Sequence, residues 1–261
     1  MSRSFASEWV KLRRRGMLAA LATVVALTGL VTFLTISRAG LTGRGGDRAF
    51  LSLAAARGSG GLALVLGRAS GLLGVVALTV FASTFATEFS QGTLRNLLVR
   101  QPRRLPLLAG KYLALASAAV GAVVLALLVN IPVGLAAASA KGIPTHAWFT
   151  GTGLAHLART ALNLCLAAVG WGTLGAMLGV LLRSPTSAIG VGVAYALPVE
   201  GILSSVVHGL GRWLPGQLLD ALASGGNATA GYRAAAATLL VYGAIAATVA
   251  AAAFARRDVV T

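Results

Sequence analysis

Glu88-Phe-Ser-Gln-Gly-Thr-Leu-Arg-Asn-Leu-Leu-Val-Arg-Gln-Pro-Arg-Arg-Leu105 is a polar interruption between two apolar runs, 62–87 and 107–138. Each run is long enough to cross a bilayer. The interruption carries one acid, a Gly-Thr pair, four arginines and a proline, and Lys111 follows where the next apolar run begins. Its flanks decide the fold: with a membrane-length run on either side, it is a loop between two transmembrane helices.

The rest of the chain agrees with that solvent. Of 261 residues, 57% are hydrophobic and only 11% charged, with a mean hydropathy of +0.83. A water-soluble domain of this length does not show that balance. The formal charge of +16 comes from 22 Lys and Arg against 6 Asp and Glu. Nucleic-acid binding is the usual reading of such a surplus, but no polar stretch here is large enough to hold a groove reader. The basic residues are therefore read as topology signals facing anionic lipid, with no nucleic acid as partner.

The expected fold class is an all-α integral membrane protein, one transmembrane domain over 1–261. Residues 1–15 set Phe5, Trp9 and Leu12 at helical spacing among Glu8, Lys11 and Arg13–Arg15, which predicts an interfacial amphipathic helix. Six transmembrane helices are expected at 16–36, 62–87, 107–138, 156–182, 186–201 and 232–255. Between the second and third lies the segment 88–105. Residues 202–223 are mildly apolar but broken by His208, Arg212, Trp213, Pro215 and Asp220, which suits a re-entrant or surface segment. Pro132 beside Asn130 marks an expected kink, and Gly172, Gly175 and Gly179 mark a face for close helix contact.

Six crossings place both termini on one side. With the N-terminus inside, the larger share of Lys and Arg falls in inner segments and crowds against helix ends, where such charges count most. The expectation is a multi-pass protein of the bacterial plasma membrane with both termini cytoplasmic, and with 88–105 cytoplasmic too. Within that segment Leu94, Leu97, Leu98 and Leu105 are spaced like the buried face of a short helix opened by Gly92-Thr93. Such a helix is shaped to dock on a partner.

Chemistry of other kinds finds little support. Cys165 stands alone in an apolar run, and His146, His156 and His208 show no metal-ligand spacing. Gly110-Lys111-Tyr112 lacks the upstream glycine and the hydroxyl of a phosphate-binding loop. The six carboxylates are scattered, so no nucleophile, acid and base constellation forms. A lipid-modifying enzyme would need such a cluster at one interface. An ion-gradient-driven secondary transporter, the alternative transport reading, would need buried acids near the midplane and an internal repeat. Polar groups inside membrane helices are functional candidates by default, and here they are Asn130, Asn163, Tyr195 and Glu200.

Glu88-x-x-x-Gly-Thr-Leu-Arg-x-Leu-Leu, then Pro102-Arg-Arg and Gly110-Lys111, resembles the segment between the second and third crossings in permeases of the type 2 ABC exporter family. The wider plan is similar along nearly the whole chain: a basic amphipathic start, six crossings, and a broken segment with Trp213-Leu-Pro215 before the last. The resemblance implies a dimeric translocation pathway formed with a second permease chain, and a separate ABC ATPase subunit on the cytoplasmic side. ATP and magnesium would sit on that partner, with no cofactor on this chain and no enzymatic site of its own. Glu88, Gly92, Thr93, Leu94, Arg95 and Leu98 would lie in the coupling region that passes ATP-driven movement to the membrane helices. The exported compound would be hydrophobic or amphipathic: a drug, an antibiotic, a lipid or a peptide.

Overall fold

The computed structural model describes residues 15–41, 51–90, 104–207 and 209–256. The expected interfacial helix lies outside them but for its last residue, and so do Gly92, Thr93, Leu94, Arg95 and Leu98. The described residues form helices joined by turns. Six are long and apolar enough to cross a membrane: Leu18–Ser37, Gly61–Glu88, Leu108–Ala140, Gly151–Leu182, Pro185–Val206 and Tyr232–Ala253. The chain is a multi-pass membrane protein.

In chain order the helices are α1 (Arg15–Ser37), α2 (Leu53–Arg57), α3 (Gly61–Gly67), α4 (Ser70–Ser90), α5 (Arg104–Ala140), α6 (Gly151–Leu182), α7 (Pro185–Ala194), α8 (Glu200–Val206), α9 (Pro215–Ser224) and α10 (Tyr232–Arg256). Two spans are not simple rods. The second breaks at Arg68–Ala69 into α3 and α4. The fifth runs five residues past its expected end to Val206, through a π turn at Tyr195–Val199 that joins α7 to α8. Pro198 lies in that turn, and the Glu200 N–H reaches back to the Tyr195 carbonyl. Proline has no N–H to donate, so a wider turn here is where the helix can yield.

The segment 202–223 is correspondingly divided. Its first residues finish α8, and the remainder forms a 3-10 turn at Leu210–Trp213 and then α9. One face of α9 is covered by the bundle. Leu218, Leu219 and Ala221 are buried, and α9 packs on α6 and α10.

Local chemistry explains the connections. Ser52 caps α2 by accepting from the Ala55 N–H at 3.1 Å. The Arg183-Ser-Pro185 turn is short because Arg183 takes a left-handed conformation to end α6, while Ser184 caps α7 and Pro185 supplies its first residue. Lys141, beyond the end of α5, donates to the carbonyls of Ser37 and of Ala39 at 2.6 Å. A cation there neutralises the open carbonyls at the end of α1.

α6 is the hub, and its contact with α4 is the most extensive between any two described helices. Glycines make it possible. A Cβ on Gly175 would overlap the Leu78 carbonyl, one on Gly172 would lie 2.8 Å from the Phe81 ring, and one on Gly179 would lie 2.6 Å from the Ala82 carbonyl. From the other side Gly74 gives room to the Trp171 indole. The three α6 glycines are the face expected from their spacing. Close backbone approach of this kind is the main source of helix association where lipid removes the hydrophobic drive.

Gly175→Leu should therefore drive α4 and α6 apart and cost on the order of 1–3 kcal/mol or more, read as a lowered melting temperature in detergent. Gly121, on α5, has no atom within 4 Å of where a Cβ would stand, so Gly121→Ala should leave melting unchanged or slightly raised. Equal melting of both variants would remove the close-contact role.

Candidate functional site

Three features concentrate the polar chemistry of the bundle. The first lies where the segment 88–105 leaves and rejoins it. Glu88, in the last turn of α4, forms an ion pair with Lys111, two turns into α5. Their side chains are 13% and 6% exposed, so neither charge can rely on water, and each stabilises the other. The Lys111 ammonium also sits 5.3 Å from the centroid of the Phe85 ring. The pair thereby staples together the two helices from which the basic segment springs.

The second feature is the mounting of α9. Its N-cap residue, Leu214, has no side chain able to cap, yet its first turn is buried and its N–H groups need acceptors. Glu200 supplies one from another helix. Its Oε1 accepts from the Gly216 N–H at 2.7 Å and the Gln217 N–H at 3.4 Å, and from the Tyr195 hydroxyl at 3.1 Å. Glu200 is 2% exposed, and a helix N-terminus is the natural seat for a buried carboxyl group. Gly216 must be glycine for this approach: a Cβ there would overlap the Glu200 carboxyl and meet the Trp171 ring at 2.7 Å. Farther along, the Ser70 hydroxyl donates to Asp220 Oδ1 at 3.1 Å, tying α9 to the start of α4.

The third feature is a cleft of about 750 Å³ between α6 and α10, floored by α9, with the ends of α4 and α5 closing one mouth. It is walled by leucines, alanines and glycines. Three tyrosines line it, and their hydroxyls are all engaged by the protein. Tyr112 meets Thr173 Oγ1 at 2.7 Å, and because Thr173 already donates to the Val169 carbonyl at 2.8 Å, Tyr112 is the donor. Tyr232 donates to Asn163 Oδ1 at 3.0 Å, and Tyr242 to the Trp213 carbonyl at 2.9 Å.

The sequence candidates are thus distributed rather than gathered. Tyr195 and Glu200 meet directly, and Asn163 lies on α6 beside the far end of the same α9, where its amide is 4.0 Å from the Cβ that Gly225 would bear. Asn130 stands apart in the α1–α5 interface, donating to Thr28 Oγ1 at 2.8 Å. That bond links two helices within the membrane, a contact worth on the order of 0.6–2 kcal/mol. Among the described residues no group of three or more His, Cys, Asp or Glu is placed to hold a metal. Tyr112, Thr173, Tyr232 and Tyr242 were not singled out from sequence. The available signal was the density of alanine along α10, which leaves the wall of a cleft where larger side chains would have filled it.

A family model described as a protein of unknown function, DUF2705, matches residues 21–260, and the chain belongs to that family. No curated protein matches the sequence.

Removing the cap should loosen α9 selectively. Glu200→Ala strands the buried N–H groups and should cost about 2–3 kcal/mol, whereas Tyr195→Phe removes one partner and should cost about 1 kcal/mol. Hydrogen exchange at Gly216 and Gln217 is the measurement; protection in Glu200→Ala equal to the native chain would refute the capping role.

Proposed function

We propose that this chain is the transmembrane permease subunit of an ATP-driven ABC exporter, moving a hydrophobic or amphipathic compound with a separate ATPase subunit. The observation that carries the reading is the basic segment 88–105. It lies between two membrane-length helices whose adjoining ends are held by the Glu88–Lys111 pair. A loop pinned at both roots transmits a push from a docked partner to α4 and α5 together, and through the tight α4–α6 contact to the hub of the bundle. A loop with loose roots would absorb the push.

In this reading Glu88, Gly92, Thr93, Leu94, Arg95 and Leu98 form the coupling surface, and the partner carries ATP and magnesium. The basic surplus near these helix ends supports a cytoplasmic location for the segment and for both termini in a bacterial plasma membrane. The expected amphipathic helix at 1–15 would lie along the same face. The burial of α9 against α6 and α10 supports the re-entrant reading of 202–223. A second permease chain, identical or similar, would complete the pathway.

The same geometry weighs against the carrier alternative. Ion-gradient transport asks for a buried carboxyl group free to exchange its ion, and Glu200 is occupied in holding α9. Its role is closer to a strut than to an ion site.

The test is purification of the tagged chain with the products of its neighbouring genes in gentle detergent. A nucleotide-binding subunit should come with it and be lost on replacing residues 92–95. Glu88→Ala and Gly92→Pro should stay inserted while substrate-stimulated ATP hydrolysis falls several-fold. Purification of the chain alone in several detergents, or undiminished transport by both variants, would sink the exporter reading.

A further inference from the structure

α1 packs chiefly on α5, and the two run in parallel: Thr28 meets Asn130, and one turn on Thr32 lies beside Gly134. Thr28 and Thr32 are 0% exposed and Asn130 is 2% exposed. Thr28 stands well inside the span that opens at Leu18, about 15 Å from its end at about 1.5 Å per residue. At that depth a polar group must find its hydrogen bonds within the protein, because hydrocarbon offers none.

Two groups in this seam lack them. Among the described residues, Asn130 Oδ1 and Thr32 Oγ1 are the buried side-chain polar atoms with no hydrogen-bond partner. Thr32 is also the exception on its own helix. Thr23, Thr28, Thr35 and Ser37 each donate to a carbonyl three or four residues back, the usual outlet for a hydroxyl in a helix, and the Thr32 hydroxyl does not take it. Asn130 is oriented by its other bond. Thr28 spends its proton on the Val25 carbonyl, so it accepts from Asn130, which puts Nδ2 at Thr28 and leaves Oδ1 as the unmet acceptor. A donor and an acceptor are therefore left over on facing helices.

Space lies on the open side of Oδ1. A Cβ on Gly29 would stand 3.1 Å from it and, apart from the adjacent residues and the backbone of α1 itself, within 4 Å of no other atom among the described residues. Thr28 and Thr32 are separated by one helical turn, about 5.4 Å, and the amide of Asn130 is held at the Thr28 end. One water joined to two oxygens at about 2.8 Å each bridges a gap of that order. A divalent cation would need several more oxygens than these two.

We propose that a single structural water sits over Gly29, accepting from the Thr32 hydroxyl and donating to Asn130 Oδ1. Two partners are the fewest that hold a buried water. With it the Asn130 amide is bonded at both its nitrogen and its oxygen, and α5 is tied to two threonines a turn apart on α1. Such a tie resists sliding of the two helices as well as their separation. The site depends on the packing of α1 on α5 and not on the transport reading.

The sign of one substitution tests it. Thr32→Val keeps the shape of the side chain and removes the hydroxyl. Loss of an unpaired hydroxyl would leave the melting temperature of the full chain in detergent unchanged or raised, whereas loss of a bridged one should lower it by about 2–4 °C. In an Asn130→Leu background the same change should no longer lower melting, because the bridge has already lost its acceptor. If Asn130→Leu fails to fold, a crystal structure of the native chain that resolves ordered water decides: density is expected within about 3.2 Å of both Asn130 Oδ1 and Thr32 Oγ1. Melting unchanged or raised by Thr32→Val, or an equal fall in both backgrounds, would overturn the proposal. So would a Thr32 hydroxyl bonded directly to Asn130 or turned onto the Thr28 carbonyl, with no density between the two side chains.

Discussion

The contact between α4 and α6 governs the rest of the bundle. It rests on the missing side chains of Gly172, Gly175 and Gly179, which let the α6 backbone lie against Leu78, Ala82 and Phe85. Inside lipid, two helices gain little by hiding apolar surface, because the alternative solvent is equally apolar; what holds them is close dispersion contact. Once α4 and α6 are locked, the ends of α4 are fixed in space. One end carries Glu88 to Lys111 at the root of the basic segment, and the other carries Ser70 to Asp220 on α9. Both polar ends of the molecule are thus referred to one apolar seam.

α9 shows how a short broken segment becomes a structural member. It is too short to span a membrane and has no capping residue of its own, so its stability is borrowed. Glu200 takes its first N–H groups, Asp220 bonds to α4, and buried leucines face α6 and α10. Because these supports come from four different helices, α9 reports on the relative positions of all of them. A rearrangement of the bundle cannot leave it undisturbed.

Much of this plan was legible in the sequence, and the parts that were not share a physical reason. The six spans follow from hydropathy and length alone, which act locally. The glycine face of α6 followed from spacing, because a helix repeats every turn. Glu200 stood out as an acid in an apolar run, but its partner did not, since the Gly216 N–H is sixteen residues away across a turn and its approach depends on a π turn whose only sequence hint is Pro198. Asn130 stood out in the same way, yet polarity could not tell an interhelical bond to Thr28 from a place on a pathway. The cleft left the faintest trace. It is an absence of side chains shared by several helices, and each alanine on α10 taken singly is unremarkable. The coupling residues 92–98 rest on pattern and resemblance, being outside the described structure.

The π turn at Tyr195–Val199 sets a phase as well as a bend. Successive residues of an α-helix are displaced by about 100° around its axis, so the extra residue held in that turn determines the direction in which α8 faces. Glu200 meets Gly216 only in this phase, with Tyr195 brought round to the same carboxyl group. The fifth span therefore counts residues: a one-residue deletion that restored regular winding would preserve its length and hydropathy almost unchanged, yet turn Glu200 toward lipid and leave α9 uncapped. Composition at this place is free to drift, but the number of residues between the start of α7 and Glu200 is not.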